Sequence, residues 1–209
     1  SGNGNNGELR NGIKRVDGRF GGGLEFNGKS SYLICPDSPS LHLNKAASMT
    51  VWFKPVAGDD PLSIIFCGTC RNRVMTGGNS LQGSYSVGNA YCKAECRGVS
   101  PGKWNYAAMT YNGEKVILYL NGRLVGDVAG KDGKFVFSGP VIIGSENGRA
   151  FFFDGVIDEV RIYDYALSQE DIRRQYESVP PEITDVERFA VLKSAIVEKA
   201  AFLKRKMDC

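Results

Sequence analysis

This 209-residue chain has one histidine, no apolar run long enough to span a bilayer, and little net charge. Each shortage excludes something. The one histidine, His42, sits between Leu41 and Leu43 with no evident nucleophile beside it. Ser/His/Asp catalysis and histidine-built zinc catalysis therefore lack their parts, and His42 reads as a surface or packing residue. The cysteines have no second histidine with which to form a catalytic thiolate pair. No stretch of about 18 apolar residues occurs, and the N-terminus lacks the charged-then-apolar pattern of a secretory signal, so the expectation is a soluble piece of a longer polypeptide. The net charge of +3 is the difference between 26 basic and 23 acidic residues, with much of the excess in one stretch, 199–206. No basic face is laid out for nucleic acid. Asn-x-Ser/Thr acceptors are absent, so sequons lend secretion no support.

What is abundant is glycine, with 26 residues, in a chain that is 42% hydrophobic and 11% aromatic. That composition describes a turn-rich globular protein, and this length accommodates one large all-β domain. From residue 19 to about 161, short runs of β-branched and aromatic residues alternate with glycine turns. The clearest is a three-stranded meander: 105–111, Asn112-Gly113, 114–120, Asn121-Gly122, 123–128. Each Asn-Gly pair is suited to the two positive φ angles of a type I′ turn. Further strands are expected at 24–26, 31–35, 48–54, 63–66, 141–143 and 156–163. Strands without intervening helices predict an all-β, two-sheet antiparallel sandwich.

Six cysteines stand at 35, 67, 70, 92, 96 and 209. Cys67-x-x-Cys70 and Cys92-x-x-x-Cys96 fit two disulfides stapling a long hairpin or loop, or four thiolates around zinc; the spacing permits both, and disulfides suit a sandwich of this composition better. A thioredoxin-like redox pair would need a βαβ context that is missing. Cys35 reads as a small buried hydrophobe and Cys209 as an unpaired thiol. After the last strand the periodicity becomes helical. Ser168 with Asp171 three residues on resembles a capping box, and this short helix is expected to pack on the sandwich. Beyond Val179-Pro180-Pro181, apolar residues from Val186 to Leu203 recur at helical spacing and end in Lys204-Arg205-Lys206. The division predicted is a module at 1–178 and a linker plus amphipathic basic helix at 179–209. That helix packs back or leads to another domain of the same polypeptide; the sharper reading is a partner or membrane-surface helix, the one route to membrane contact.

Four ordered segments resemble one family. They are 18–32 (GRFGGGLEFNGKSSY), 49–55 (MTVWFKP), 104–108 (WNYAA) with the Asn-Gly meander, and 154–163 (DGVIDEVRIY) followed by Ala166-Leu167-Ser168. Together they are similar to the laminin G-like jelly rolls of the concanavalin A-like superfamily. The resemblance implies a jelly roll over residues 1 to about 178 that begins one strand late, because 1–7 looks like the loop after the family's first strand; an edge left without its neighbour exposes backbone groups that another chain can fill. The stretch from Cys67 to Cys96 is an elaboration on the pattern. The resemblance also implies a structural Ca²⁺ held by hard oxygens of Asn27 and Asp158 with backbone oxygens near Lys29 and Ser31, unless Asp158 caps local backbone instead.

The superfamily includes glycoside hydrolases, which need paired carboxylates facing one cleft. No Glu-x-Asp-x-x-Glu pattern occurs, Asp158 and Glu159 are strand neighbours that point to opposite faces, and Glu114, Glu146 and Asp127 stand alone. The expectation is a non-catalytic module of a secreted or surface protein that binds carbohydrate or mediates adhesion. The alternative is a protein-assembly module using the cysteine-rich loop and the C-terminal helix, with a surface protein as partner. Trp52 and Trp104 fall in strand motifs and read as structural. The sugar-binding candidates are the polar and aromatic residues of the elaborated loop: Arg71, Asn72, Arg73, Asn79, Tyr85, Asn89 and Tyr91.

Overall fold

The computed structural model describes residues 4–57, 63–68, 72–87, 90–130 and 135–178. The predicted helix beyond Pro181, with Cys209, and the candidates Cys70, Arg71 and Asn89 lie outside the described residues. Fourteen strands follow in order: β1 Glu8–Arg10, β2 Lys14–Asp17, β3 Gly22–Asn27, β4 Tyr32–Cys35, β5 Ala47–Pro55, β6 Ser63–Cys67, β7 Arg73–Gly77, β8 Ser80–Val87, β9 Ala90–Arg97, β10 Asn105–Tyr111, β11 Lys115–Leu120, β12 Arg123–Ala129, β13 Val141–Ile143 and β14 Asp154–Tyr163, then helix α1 Gln169–Glu177. They form two antiparallel seven-stranded sheets: sheet A, β1-β4-β13-β6-β7-β8-β9, and sheet B, β12-β11-β10-β5-β14-β3-β2.

The core lies between the sheets because the strands alternate apolar-in, polar-out. In β5, Ala47, Met49, Val51 and Phe53 point inward, and in β10 Ala107, Met109 and Tyr111 do the same. The Asn121-Gly122 turn has both residues at positive φ, as a type I′ hairpin requires. At Asn112-Gly113 only the glycine has a positive φ; Asn112 Oδ1 instead accepts the N–H groups of Glu114 and Lys115, so this turn is closed by a side chain.

The described residues between Cys67 and Cys96 form the strands β7, β8 and β9 of sheet A. β8 alternates in direction, with Leu81, Gly83, Tyr85 and Val87 inward and Ser80, Gln82, Ser84 and Ser86 outward, Ser84 being buried nonetheless; β9 turns Cys92, Ala94 and Cys96 inward. Gly83 occupies an inward position where a Cβ would lie 2.8 Å from both Leu118 Cδ1 and Met109 Sδ. At this edge the sheets close on each other: a Cβ at Gly126 of β12 would meet Glu95 O at 3.5 Å and Ala94 Cβ at 3.7 Å across the sandwich.

The outer face of sheet B is covered. Trp52 and Tyr106, in register on β5 and β10, lie under α1, where Tyr176 stacks on Trp52 at 5.7 Å between ring centroids and Gln175 accepts the Tyr106 hydroxyl at 2.8 Å. Phe20 packs edge-on to Trp52, and the Arg19 guanidinium sits 5.0 Å from the centre of the same ring. Burial pushes the Tyr106 phenol up to about 12. The helix starts as expected: Asp171 N–H donates to Ser168 Oγ, and the Ser168 hydroxyl donates to the Asp171 carboxylate. Trp104 is half-buried outside the strands.

Candidate ligand-binding face and inter-sheet crevice

Among the described residues, three of the four cysteines of the expected cluster, Cys67, Cys92 and Cys96, stand apart from one another. Cys92 and Cys96 are four residues apart on one strand, roughly 13 Å at ~3.3 Å per residue, well beyond disulfide reach. Cys67 is on β6, three strands away from β9 in the order of sheet A and facing outward, whereas Cys92 and Cys96 face the core. Cys35, Cys67, Cys92 and Cys96 are all free thiols. Burial, with a smaller contribution from Glu146 against the lowering effect of Arg73, pushes the Cys67 thiol up to about 11, and burial raises those of Cys35 and Cys96 as well. Thiols of this kind stay protonated at neutral pH and are poor nucleophiles and poor metal ligands. The three described cysteines do not pair with one another; any pairing through Cys70 lies outside the described residues.

The implied calcium ligands also part company. Asn27 is in register with Asp154 on β14, so Asp158 lies four residues, roughly 13 Å, further along that strand. Asn27 Oδ1 already accepts the N–H groups of Lys29, Ser30 and Ser31 at 2.9 to 3.1 Å and the Ser31 hydroxyl at 3.0 Å. Donors, not oxygens, converge there, which makes Asn27 the organiser of its own turn. Asp158 accepts the N–H of Phe20 at 2.9 Å and of Glu159 at 2.8 Å, the backbone-capping role. Among the described residues no cluster of three or more His, Cys, Asp or Glu side chains forms a metal site.

The sugar-binding candidates divide. Tyr85 is a core residue with no exposed surface, packed on Phe135 and Tyr111 with ring centroids 5.2 and 6.1 Å away, and burial raises its phenol. Asn72 is equally buried: its Nδ2 donates to Val136 O and its Oδ1 accepts the N–H of Ser86, both at 2.9 Å, tying the β6–β7 connection to β8. Asn79 is exposed in the β7–β8 turn, at the opposite end of β8 from Tyr91, and its carbonyl accepts the N–H groups of Gly98 and Val99. None of these three can face a ligand together with Tyr91.

Arg73 and Tyr91 do share a face. On the outer side of β7–β9, Arg73, Ser84 and Lys93 stand in one row across three strands, and Ser86 and Tyr91 in the next. Gln82 and Glu95 form the row on the other side. Tyr91 is 38% exposed, on a face that also carries the buried Met75 in register with Gln82. Arg73 is held by Glu146 at 2.8 Å in a half-buried ion pair, and Lys93 pairs with Glu95 at 2.7 Å, which lifts its ammonium above the usual lysine range. Lys93, Gln82, Ser84, Ser86 and Glu95 were not singled out in the sequence. The alternation that marks them is visible only once 80–87 and 90–97 are read as strands.

A second concavity lies where the sheets diverge, away from the closed β9/β12 edge. A crevice of about 580 Å³ is lined by Leu41, Leu43, Phe66, Val141 and Ile143 on one side and by Val160 and Ile162 of β14 on the other. A smaller compartment of about 370 Å³ shares Ile143 and Val160 with it and is bordered by Arg15. Above the crevice β14 carries a bulge, with Glu159 at φ 50° as the extra residue, so that Val160 and Ile162 point inward and Arg161 and Tyr163 outward. Glu159 pairs with Arg161.

The comparisons agree with this fold. A family model described as the concanavalin A-like lectin/glucanases superfamily, laminin G type, matches residues 27–173. No curated protein matches the chain in sequence. Among solved structures, the binding domain of Paraclostridial mosquitocidal protein 1 superposes with a TM-score of 0.70 at 17% identity over 85% of this chain and 48% of that one. The binding domain of botulinum neurotoxin DC, in complex with SialylT, gives 0.65 at 17% over 85% and 48%. The serotype G binding domain gives 0.68 at 13% over 84% and 47%. The chain thus spans about half the length of each of these domains. Two seven-stranded antiparallel sheets and a match over residues 27–173 place the chain in the concanavalin A-like lectin/glucanase superfamily as a laminin G-like jelly roll.

Proposed function

We propose that this jelly roll is a non-catalytic recognition module that binds glycan on the outer face of β7–β9, outside the cell or at its surface, as one domain of a longer polypeptide. Tyr91 carries the reading: an exposed ring flush with a sheet face whose neighbours are hydroxyl, amide, guanidinium, ammonium and carboxylate groups. A sugar presents C–H faces that stack on an aromatic ring and O–H edges that hydrogen-bond to such groups. The company of toxin binding domains, one in complex with SialylT, supports recognition as the role, and the family supports an extracellular setting; the free thiols add nothing to it. Support for the absence of turnover comes from the engaged carboxylates, Asp158 by two backbone N–H groups and Glu159 by Arg161.

A glycan array, followed by titration of the best-retained sugar, tests this. Tyr91→Ala is expected to weaken binding about tenfold, equivalent to ~1.4 kcal/mol, and Lys93→Ala to weaken it less, both at unchanged melting temperature. An array that retains no sugar, or full affinity in Tyr91→Ala, dismisses the reading.

A further inference from the structure

Where glycine follows asparagine, the backbone can attack the asparagine's own side-chain amide, because no Cβ shields the glycine nitrogen. The chain has seven such pairs, six of them wholly within the described residues. Ring closure needs a glycine N–H free to lose its proton, an asparagine Cγ free to turn towards that nitrogen, and solvent around the oxygen on which charge develops. Each hydrogen bond that must break first slows the step by roughly two- to tenfold.

The fold treats the six pairs differently. Asn27 Oδ1 is fixed by three N–H groups and a hydroxyl, and the Gly28 N–H donates to Phe153 O at 3.0 Å. Asn121 Oδ1 accepts the Tyr106 N–H at 2.8 Å, and a Cβ on Gly122 would stand 3.0 Å from the Tyr176 ring. The Gly148 N–H, after Asn147, donates to Ser145 Oγ at 3.0 Å under the ring of Tyr32. Asn112 Oδ1 is held by the N–H groups of Glu114 and Lys115. Asn6 precedes a glycine pressed on Leu33, where a Cβ would meet Cδ2 at 2.7 Å. Asn11-Gly12 has none of these restraints. It is exposed, nothing lies within 4 Å of a Cβ position on Gly12, and the Gly12 N–H makes no hydrogen bond among the described residues. The side-chain bond of Asn11 is from Nδ2, the nitrogen that leaves, to Ser30 O at 3.0 Å, so Oδ1 stays in water.

We infer that Asn11-Gly12 is the leading site at which the folded chain modifies itself. Gly12 N, its proton taken by hydroxide, bonds to Asn11 Cγ; Nδ2 picks up a proton and departs as ammonia. Water then opens the succinimide at either carbonyl, giving isoaspartate or aspartate. The consequence is structural as well as electrostatic. Residues 11–13 cross from β1 of sheet A to β2 of sheet B. Isoaspartate lengthens that crossing by a methylene, the donor to Ser30 O is lost, and the net charge falls by one from +3. This site is separate from the Tyr91 face and stands or falls without it.

The whole chain, held at mildly alkaline pH and sampled over days, would be digested in acid and mapped by mass spectrometry with fragmentation that separates isoaspartate from aspartate. Conversion at Asn11 is expected to run ahead of every other described pair, to rise in proportion to hydroxide, and to yield both products. In denaturant the six pairs should convert at similar rates, which attributes the native order to the fold. Asn11→Gln should remove the leading acidic form on ion exchange. The inference is overturned if another described pair overtakes Asn11 in the folded chain, or if Asn11 stays intact while the unfolded chain converts. Aspartate without isoaspartate overturns it too, because water and not Gly12 N would then have attacked.

Discussion

The two sheets present opposite outer faces to the world. Sheet B puts Trp52 and Tyr106 outward and then hides them beneath Tyr176, Phe20 and Arg19; sheet A puts Tyr91 outward with 38% of its surface exposed. The aromatic residues are of one kind, but their surroundings differ. On sheet B the neighbours are other rings and the buried Thr50, so the rings are stabilised by a covering helix. On sheet A the neighbours are Ser86, Ser84 and Lys93, hydroxyl and ammonium groups in place of rings. A ring that a protein covers with its own helix contributes to stability; a ring on a polar sheet face contributes to recognition.

The comparison breaks most visibly at Trp52. Removing its ring from beneath α1 leaves a cavity bordered by Tyr106, Tyr176 and Phe20, and Trp52→Ala is expected to cost about 3 to 5 kcal/mol, a large share of a domain's ~5 to 15 kcal/mol. Thermal unfolding followed by circular dichroism would show it, and a melting temperature within a degree or two of the parent would mean that α1 is not held by that ring. On the sheet A side the counterpart is Asn72, which holds the β6–β7 connection rather than any ligand. Asn72→Ala strands the Ser86 N–H and the Val136 C=O and should cost about 1 to 3 kcal/mol while leaving glycan affinity intact once folded. Loss of affinity in a folded Asn72→Ala protein would return this residue to the site.

A smaller effect sharpens the role of α1. Ser168→Ala removes the helix cap and should cost about 1 kcal/mol, read as a lower melting temperature and a less protected Trp52. The acid limb gives an independent check. The Ser168 hydroxyl, then its backbone N–H, hold the Asp171 carboxyl below its usual value. A depressed carboxyl contributes stability above its unfolded pKa of about 3.9, and that stability is lost as pH falls through the lower folded value. The gap between parent and Ser168→Ala should therefore be flat from neutrality to about pH 4 and shrink below it. A gap that instead shrinks between pH 7 and 5 would implicate another group.

The fold was legible where side chains advertise their geometry. The apolar alternation of 48–54 and 105–111, the Asn121-Gly122 turn and the Ser168/Asp171 cap each state a local preference that the tertiary structure keeps. β8 was not legible, because serine, glutamine and glycine dilute its alternation; Gly83 in particular reads as a break until Leu118 and Met109 are seen filling the space a side chain would need. With 67–96 read as a long hairpin or loop, four cysteines close in sequence suggested a cluster in space, but a strand's rise of ~3.3 Å per residue separates Cys92 from Cys96 and Cys67 lies three strands away. The same error placed Tyr85 and Asn72 among surface candidates. Arg73 and Tyr91 lie on one sheet face, brought there by strand register and not by a shared loop. The apolar crevice beside β14 depends on how far two sheets diverge, which no local pattern encodes.

The finest test of the contrast is Tyr91→Ala measured for stability alone. Tyr91 stands in register with Ser86 near the start of β9, with over a third of its surface in water, so truncating it removes little buried area and leaves no sealed cavity. The expected cost is within about 0.5 kcal/mol, the range of surface substitutions, against several for Trp52→Ala. If chemical denaturation finds Tyr91→Ala nearly as costly as Trp52→Ala, then something outside the described residues covers the ring, the face is not open to a glycan, and the two faces of the sandwich are alike after all. If the cost is small, any binding lost in the same variant is lost at the contact and not through the fold.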